Sequence, residues 1–342
     1  MNKRESNLTD VTVIGGGPTG LFAAFYAGLR GASCRLVDAL PELGGQLMAL
    51  YPEKYVYDVG GYPKILAKEL AKAMIEQGTQ FDPEVVLGAE VESLVRENGC
   101  LRLVTGRGEF LSKTVVITGG KGALNPQLLD CPGWHEHYHE SGGVRTHVKR
   151  PEDFRARRVL IVGGGDSAVD WVLALRGIAS EVTLVHRRHA FRAHRATVDE
   201  MERAAGEGEV TVLTPFEVRE IHGEGGFVNR ATVFDNGSGE EREVAVDVVI
   251  ALLGFKPDLG TIGEWGLELE RNSIKVSPLM ETNLEGVYAA GDITHYPGKL
   301  ELIATGYGEA AIAVNNAVHF IDPKARVNPG HSTHLKVFKQ DG

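Results

Sequence analysis

No stretch of this sequence is long and apolar enough to cross a bilayer. The longest apolar runs, such as Val248 to Leu253, fall far short of the ~20 residues a spanning helix needs. Cysteine is scarce. Cys34, Cys100 and Cys131 are widely spaced and odd in number, which excludes a disulfide framework, a CxxC pair and a cysteine metal cluster. A reducing cytoplasm is therefore the expected setting, and the polar start Met1 to Ser6, without an apolar signal core, points the same way. Positive charge is in deficit: 36 Lys and Arg against 46 Asp and Glu leave a net charge of −10. That excludes nucleic-acid binding through bulk electrostatics. Low-complexity linkers are missing as well.

What is abundant is glycine, 43 residues, much of it in short clusters beside apolar runs, where it permits close backbone approach to a ligand. At 342 residues the chain suits about two domains of ~150 residues each. Val11–Ile14 reads as a buried parallel strand, Pro18 to Leu29 as a helix, and Ser33–Val37 as a strand ending in Asp38. The order returns with a strand at Arg158–Val162, a helix from Asp166 to Arg176, and a strand at Glu181–Val185 ending at His186. Asp38 follows Gly15 by 23 positions and His186 follows Gly163 by the same 23, so two βαβ units match without a gap at an offset of 148. Duplication of one nucleotide-binding unit explains this, and the fold class is α/β. Segments near Glu84–Val95, Leu101–Thr105, Glu109–Ile117, Val210–Leu213, Glu217–Ile221, Ala231–Phe234 and Val244–Leu253 alternate like antiparallel strands. A last strand, Gly286–Ala290, precedes a long helix from about Leu302 to Phe320.

The first repeat carries Gly15-Gly16-Gly17-Pro18-Thr19-Gly20, a G-x-G-x-x-G between strand and helix. Gly15 permits the tight turn, Gly17 lets a pyrophosphate approach the backbone, and Gly20 allows close helix–strand packing. Unpaired amides at the helix start then face the phosphates. Asp38 is suited to accept hydrogen bonds from a ribose diol. The second repeat carries Gly163-Gly164-Gly165-Asp166-Ser167-Ala168, the G-x-G-x-x-A form. Here His186-Arg187-Arg188 stands in place of an acid, with Arg192 close by. A carboxylate would repel the 2′-phosphate of NADP, whereas guanidiniums grip it, so NADPH is expected over NADH.

Two dinucleotide sites in one chain suggest a permanent flavin and an exchanging nicotinamide. Ala289-Ala290-Gly291-Asp292 fits this division, because a strand-end Gly-Asp brings a carboxylate to the flavin's ribityl or pyrophosphate region. The helix beginning near Leu300–Ile303 would aim its positive end at the flavin N1/O2 region.

With these residues assembled, the chain resembles the pyridine-nucleotide–disulfide oxidoreductase superfamily in its thioredoxin-reductase-like branch. His186-Arg187-Arg188 with Phe191-Arg192 is similar to the NADPH-phosphate motif of thioredoxin reductases, but Ser141 to Arg158 holds no cysteine where those enzymes carry CxxC. The stronger resemblance is to thioredoxin-reductase-like ferredoxin–NADP⁺ reductases. It rests on Gly44-Gly45-Gln46-Leu47, Leu50-Tyr51-Pro52-Glu53-Lys54, Tyr57-Asp58-Val59, Gly163 to Trp171, Tyr296-Pro297-Gly298-Lys299 and Asn328-Pro329-Gly330-His331-Ser332.

That resemblance implies two Rossmann-like three-layer ββα dinucleotide-binding domains. Residues 1–122 with 285–342 would form a discontinuous FAD-binding domain, and 123–284 an inserted NADPH-binding domain. It further implies that Thr19, Asp38 and Gln46 hold the FAD phosphates and adenosine side, and that Val91 gives main-chain contacts to adenine. Tyr51 would stack on one flavin face and His331 on the other, across a homodimer interface, with Asp292, Leu124 and Thr333 lining the ring's surroundings. Val144–His147 and Thr118–Lys121 depart from the family pattern.

The expected reaction is hydride transfer from NADPH to flavin N5, then single-electron steps to or from ferredoxin or a flavodoxin-like carrier. No side-chain acid or base is needed, and domain rotation or tail displacement is expected, since nicotinamide and a stacking group cannot share one flavin face. An acidic carrier calls for a local basic patch, with Arg145, Lys149, Arg150, Arg155, Arg157 and Arg158 as candidates. Three alternatives stay open: an NADPH diaphorase reducing free flavin, quinone or oxygen; a reductase of a low-molecular-weight disulfide, disfavoured by Thr19 where such relatives carry cysteine; and a non-enzymatic NADPH-sensing flavoprotein.

Overall fold

A computed structural model describes residues 7–138, 143–148, 150–225, 227–330 and 332, with the side chains at 123–125 and 255–257 left outside the description. Two compact units emerge, one from residues 1–123 with 257–342 and the other from 124–256.

In the first unit, β1 (Leu8–Ile14) leads through the glycine turn into α1 (Pro18–Leu29) and back to β2 (Cys34–Asp38). The last four residues of both strands are buried, as continuous apolar runs in a parallel sheet must be. After α2 (Ala67–Gly78) come β3 (Glu84–Leu87), β4 (Val91–Glu97), β5 (Cys100–Thr105) and β6 (Gly108–Ile117). The sheet order is β3-β2-β1-β6-β5-β4, and the strand Val287–Ala289 pairs in parallel with β6. The Glu84–Val95 region is therefore two strands of different kinds. Glu84–Leu87 lies parallel to β2, whereas Val91–Glu97 forms an antiparallel pair with β5. The C-terminal helix Ile303–Ile321 completes the unit.

Residues 257–284 belong to this first unit, so the division falls at 256/257 rather than at 284/285. Long-range pairing is the cause. The strand Ser273–Lys275 lies parallel to Thr294–His295, and Ile274, Val276 and Met280 are buried in the same core as Ile293.

In the second unit, β7 (Val144–Arg145) precedes β8 (Arg158–Val162), α3 (Asp166–Leu175), β9 (Glu181–Val185), α4 (Arg195–Gly206) and β10 (Thr211–Leu213). An antiparallel ribbon of β11 (Phe216–Glu224), β12 (Phe227–Asp235) and β13 (Glu241–Ala245) follows, then β14 (Val248–Ala251). The main sheet runs β7-β14-β8-β9-β10, all parallel. Thr211–Leu213 and Val248–Ala251 thus join the parallel sheet, not the antiparallel ribbon. Both units carry helices over a parallel sheet core, and the glycine turns lie at the carboxyl ends of the parallel strands β1 and β8, where ligands bind in such sheets.

Candidate functional site

Helix α1 starts with Pro18 behind an N-cap glycine, Gly17, and no side chain caps its first amides. Proline is well placed there, since its missing N–H is one that the first turn would leave unpaired in any case. The remaining free amides make this end an anion site. Three features define the turn in front of it. The Gly15 backbone is held at φ +108°, a Cβ on Gly20 would lie 1.7 Å from the Gly15 carbonyl oxygen, and the Thr118 hydroxyl donates to that same oxygen at 2.8 Å. Nothing larger than glycine fits at position 20. The Gly44-Gly45-Gln46 turn lies against this one, with the Gly44 amide donating to the Gly16 carbonyl at 2.9 Å. Gln46 is half-buried, its amide nitrogen near Gly120.

Asp38 is 7% exposed at the end of β2. Its Oδ1 accepts the Leu40 amide at 2.7 Å and its Oδ2 accepts the Gly16 amide. Burial raises this carboxyl above the ordinary carboxylate range, and the two amide bonds partly offset that. The residue read as a ribose acceptor is thus first a clamp on the glycine turn. Each oxygen keeps a second lone pair for a ligand hydroxyl. Beyond it, the Ala89 amide donates to the Asp38 carbonyl at 2.9 Å, and the Val91 carbonyl, two residues further, accepts the Thr261 hydroxyl at 2.8 Å.

The Thr19 hydroxyl occupies a niche between two glycines: Cβ atoms on Gly291 and Gly306 would lie 2.8 and 2.3 Å from it. The start of α1, the Gly291-Asp292 turn and the C-terminal helix therefore meet at one point. Asp292 is half-buried, and its carboxylate accepts no hydrogen bond among the described residues. Burial raises it, the charges of Lys121 and Lys299 oppose that, and Glu301 and Glu309 add to it. Burial also pushes the Tyr51 hydroxyl up, followed by the negative charges of Asp292 and Asp58, which places the ring within electrostatic reach of both. Free helix amides, a partly buried carboxylate without a protein donor, and a nearby half-buried tyrosine fit a dinucleotide carrying a ring system. The side chain of Leu124, and residues His331 and Thr333, lie outside the described residues.

The second unit repeats the turn with different chemistry. Helix α3 begins after Gly165, again without a side-chain cap, and a Cβ on Gly165 would meet nothing within 4 Å, so a phosphate has room. His186 occupies the position of Asp38. Its ring lies flush on Gly164, where a Cβ would come within 2.2 Å of it, and stacks on Phe191 at 5.0 Å. Its Nε2 is 3.2 Å from the Ala190 carbonyl. Burial holds its pKa below the ordinary histidine value, and the cations Arg187, Arg188 and Arg192 lower it further.

His186 therefore shapes the turn as a neutral ring and does not reach outward with the arginines, contrary to the grouping read from the sequence. Asp166 is likewise engaged: its Oδ1 accepts the His194 amide at 2.7 Å at the start of α4. Ser167 is exposed on the first turn of α3. The Arg192 amide donates to the Gly164 carbonyl at 2.8 Å, latching the basic loop to the glycine turn. Arg187, Arg188 and Arg192 are exposed, and their guanidiniums form no ion pair among the described residues. Three unspent guanidiniums beside free helix amides suit a phosphorylated ribose.

The basic segment read as a steering patch is largely spent. Arg158 is bound in bidentate fashion by Asp247, at 2.6 and 3.2 Å, and Arg150 pairs with Asp153 at 2.9 Å. Arg145 lies over the Phe154 ring, Lys149 is outside the described residues, and Arg155 and Arg157 are exposed. Among the described residues no cluster of His, Cys, Asp and Glu is arranged to hold a metal. Burial pushes the Cys34 thiol up to about 12 and the Cys131 thiol to about 11, so neither is poised as a thiolate.

Reasoning from the sequence passed over Glu309. It is 3% exposed in the C-terminal helix, and its Oε2 accepts the Gly291 amide at 2.7 Å. The available signal was that Glu309 is the single acidic or basic residue, histidine aside, in a 19-residue helix rich in apolar and small residues.

Comparison with known proteins agrees with this geometry. A ferredoxin–NADP reductase of Thermus thermophilus is 51% identical over 326 residues, covering 95% of this chain and 96% of that protein. Ferredoxin–NADP reductase 2 of Listeria innocua is 47% identical over 332 residues, covering 97% and 98%. The crystal structure of Lactococcus lactis thioredoxin reductase in its FR conformation superposes with a TM-score of 0.76 at 27% identity, covering 92% of this chain and 99% of that one. Residues 9–317 match the pyridine nucleotide-disulphide oxidoreductase family. A match of that extent, on a fold with two glycine turns at two sheet ends, establishes that this chain belongs to the pyridine nucleotide-disulphide oxidoreductase family.

Proposed function

We propose that this chain is an FAD-dependent ferredoxin–NADP⁺ reductase that holds FAD in its first unit and exchanges NADP(H) in its second. The observation that carries the reading is the contrast between the two turns. One closes on the Asp38 carboxylate and meets the Gly291-Asp292 turn at Thr19, the other closes on a neutral histidine flanked by three unpaired arginines. Ferredoxin as the partner is supported by the names of relatives that align over nearly the whole chain. The lack of a cysteine between Ser141 and Arg158, and the burial that pushes the Cys34 and Cys131 thiols up, speak against a dithiol relay.

The residues divide the work. Gly15, Gly17, Thr19 and Gly20 present the α1 amides to the FAD pyrophosphate, Asp38 and Gln46 flank its adenosine side, and the Val91 main chain meets adenine. Asp292 accepts from the ribityl hydroxyls, while Tyr51 packs on the ring. Leu124, Thr333 and His331 complete the ring's surroundings, His331 from a second copy in a homodimer. Gly163, Gly165 and Ser167 face the NADPH phosphates. Arg187, Arg188 and Arg192 grip the 2′-phosphate, in a loop held by Asp166 and His186. Bound FAD would supply the ability to accept a hydride and release electrons singly. No residue has to move a proton for the hydride step, so the protein's contribution is placement and electrostatics.

The test is flavin extraction from the purified protein, then NADPH-driven reduction of ferredoxin coupled to cytochrome c, with and without ferredoxin and with NADH. FAD in the extract, ferredoxin dependence and NADPH preference are expected. Equal rates without ferredoxin would reassign the protein as a diaphorase.

A further inference from the structure

One buried carboxylate in the first unit gathers four hydrogen bonds. Glu309 accepts the Gly291 amide at 2.7 Å, the Tyr296 hydroxyl at 2.5 Å and two bonds from Lys299 Nζ, at 2.5 and 2.7 Å. Its side chain and that of Lys299 are 4% and 6% exposed.

Local sequence explains how the lysine arrives there. Tyr296-Pro297-Gly298-Lys299 has proline and glycine at the central positions of a turn closed by the Lys299 amide on the Tyr296 carbonyl at 3.1 Å. Gly298 takes the φ of +84° such a turn requires. The turn brings Lys299 Nζ onto Glu309, whose Oε2 accepts the amide of Gly291, the residue before Asp292.

A pair this deep is a costly way to hold a turn, because desolvating two charges offsets most of their attraction, and a neutral pair of similar shape would serve. A neutral pair would place no charge beside Asp292. Lys299 and Glu309 both act on that carboxylate, with opposite signs.

We propose that Glu309 and Lys299 are positioning residues whose buried, balanced charges set the electrostatic environment of the flavin held at Asp292. Glu309 fixes the Gly291 amide, and through it the Asp292 turn against Thr19. Lys299 supplies the cation that keeps two neighbouring carboxylates from repelling the negative charge that reduction adds. The inference rests on placing the flavin in the first unit, as above.

The experiment is a midpoint-potential titration of the flavin in wild-type holoprotein, Glu309→Gln, Lys299→Met and the double variant, with flavin content measured for each. Glu309→Gln leaves a lone buried cation, so its potential is expected to shift upward. Lys299→Met leaves a lone anion and is expected to shift it downward. The double variant restores the balance and is expected to return close to wild type. Should Lys299→Met fail to fold, Glu309→Gln and the double variant still carry the comparison. Lost flavin with an unshifted potential in the fraction retained would overturn the proposal, leaving a structural strut. Shifts of one sign in both single variants would also overturn it. Wild-type protein that binds no flavin would overturn the reading of the site itself, and the inference with it.

Discussion

At the end of β2 and at the end of β9, a single side chain closes over the middle glycine of each turn, and the two are opposite in character. Asp38 brings a buried carboxylate to the Gly16 amide. His186 brings a neutral ring that lies on Gly164 and leaves the turn's exterior to Arg187, Arg188 and Arg192. The third motif position differs too, Gly20 in one turn and Ala168 in the other. On the proposed function, one backbone template serves two ligands and the closing residue decides which. An acid there favours a free ribose diol, while its absence admits a phosphorylated one.

The largest way to break this contrast is to remove the arginines together. Charge-assisted bonds to a phosphate contribute about 1.5–3 kcal/mol each, and ~1.4 kcal/mol is tenfold in affinity. The Arg187→Ala/Arg188→Ala/Arg192→Ala variant should therefore raise the KM for NADPH by roughly 100-fold or more with little change for NADH, as steady-state kinetics would reveal.

Exchanging the third position comes next. Gly20→Ala puts a Cβ against the Gly15 carbonyl at 1.7 Å and should cost about 2–3 kcal/mol, with loss of flavin on gel filtration. Ala168→Gly should cost only about 1 kcal/mol. Denaturant melts compare them, and a Gly20→Ala protein as stable as wild type would contradict the packing described.

His186→Asp transplants the first unit's acid into the second. With the arginines kept, NADPH preference should fall about tenfold, an effect of ~1.4 kcal/mol, read as the ratio of kcat/KM values for the two nucleotides.

The smallest effect concerns Asp292. Burial raises its carboxyl above its unfolded value near ~4. The folded state therefore loses stability from this group as pH rises through its folded pKa, and none is lost below the unfolded value. Flavin-stripped Asp292→Asn should melt above wild type at neutral pH and together with it below pH ~4. Coincident melts at both would show that the carboxylate is not strained by its surroundings.

The sequence made the two turns legible because each packs its signal into about two dozen consecutive residues, Gly15 to Asp38 and Gly163 to His186. Strand pairing was less so. Val248–Ala251 and Glu84–Leu87 look like neighbouring antiparallel segments, and only register with distant strands, Ile250 beside Ile161 and Leu36 beside Val85, makes them parallel. The boundary near 256 was hidden for the same reason, since the short strand at Ser273–Lys275 is held by Thr294–His295 and not by a local pattern. At the sites, residue type did not reveal direction. His186 stands in a run with two arginines but turns inward, and Arg158 is consumed by Asp247, 89 positions away. Glu309 and Lys299 find each other through a turn and a helix that periodicity alone does not bring together.

The most direct test of the division between the two turns is calorimetric titration of the flavin-loaded protein with 2′,5′-ADP and with 5′-ADP, repeated on the triple arginine variant. One equivalent of 2′,5′-ADP is expected to bind, about 100-fold tighter than 5′-ADP, as two or more charge-assisted bonds would give. In the variant the difference is expected to vanish while flavin content holds. Equal affinity for the two ligands, or a difference that survives without the arginines, would contradict that division.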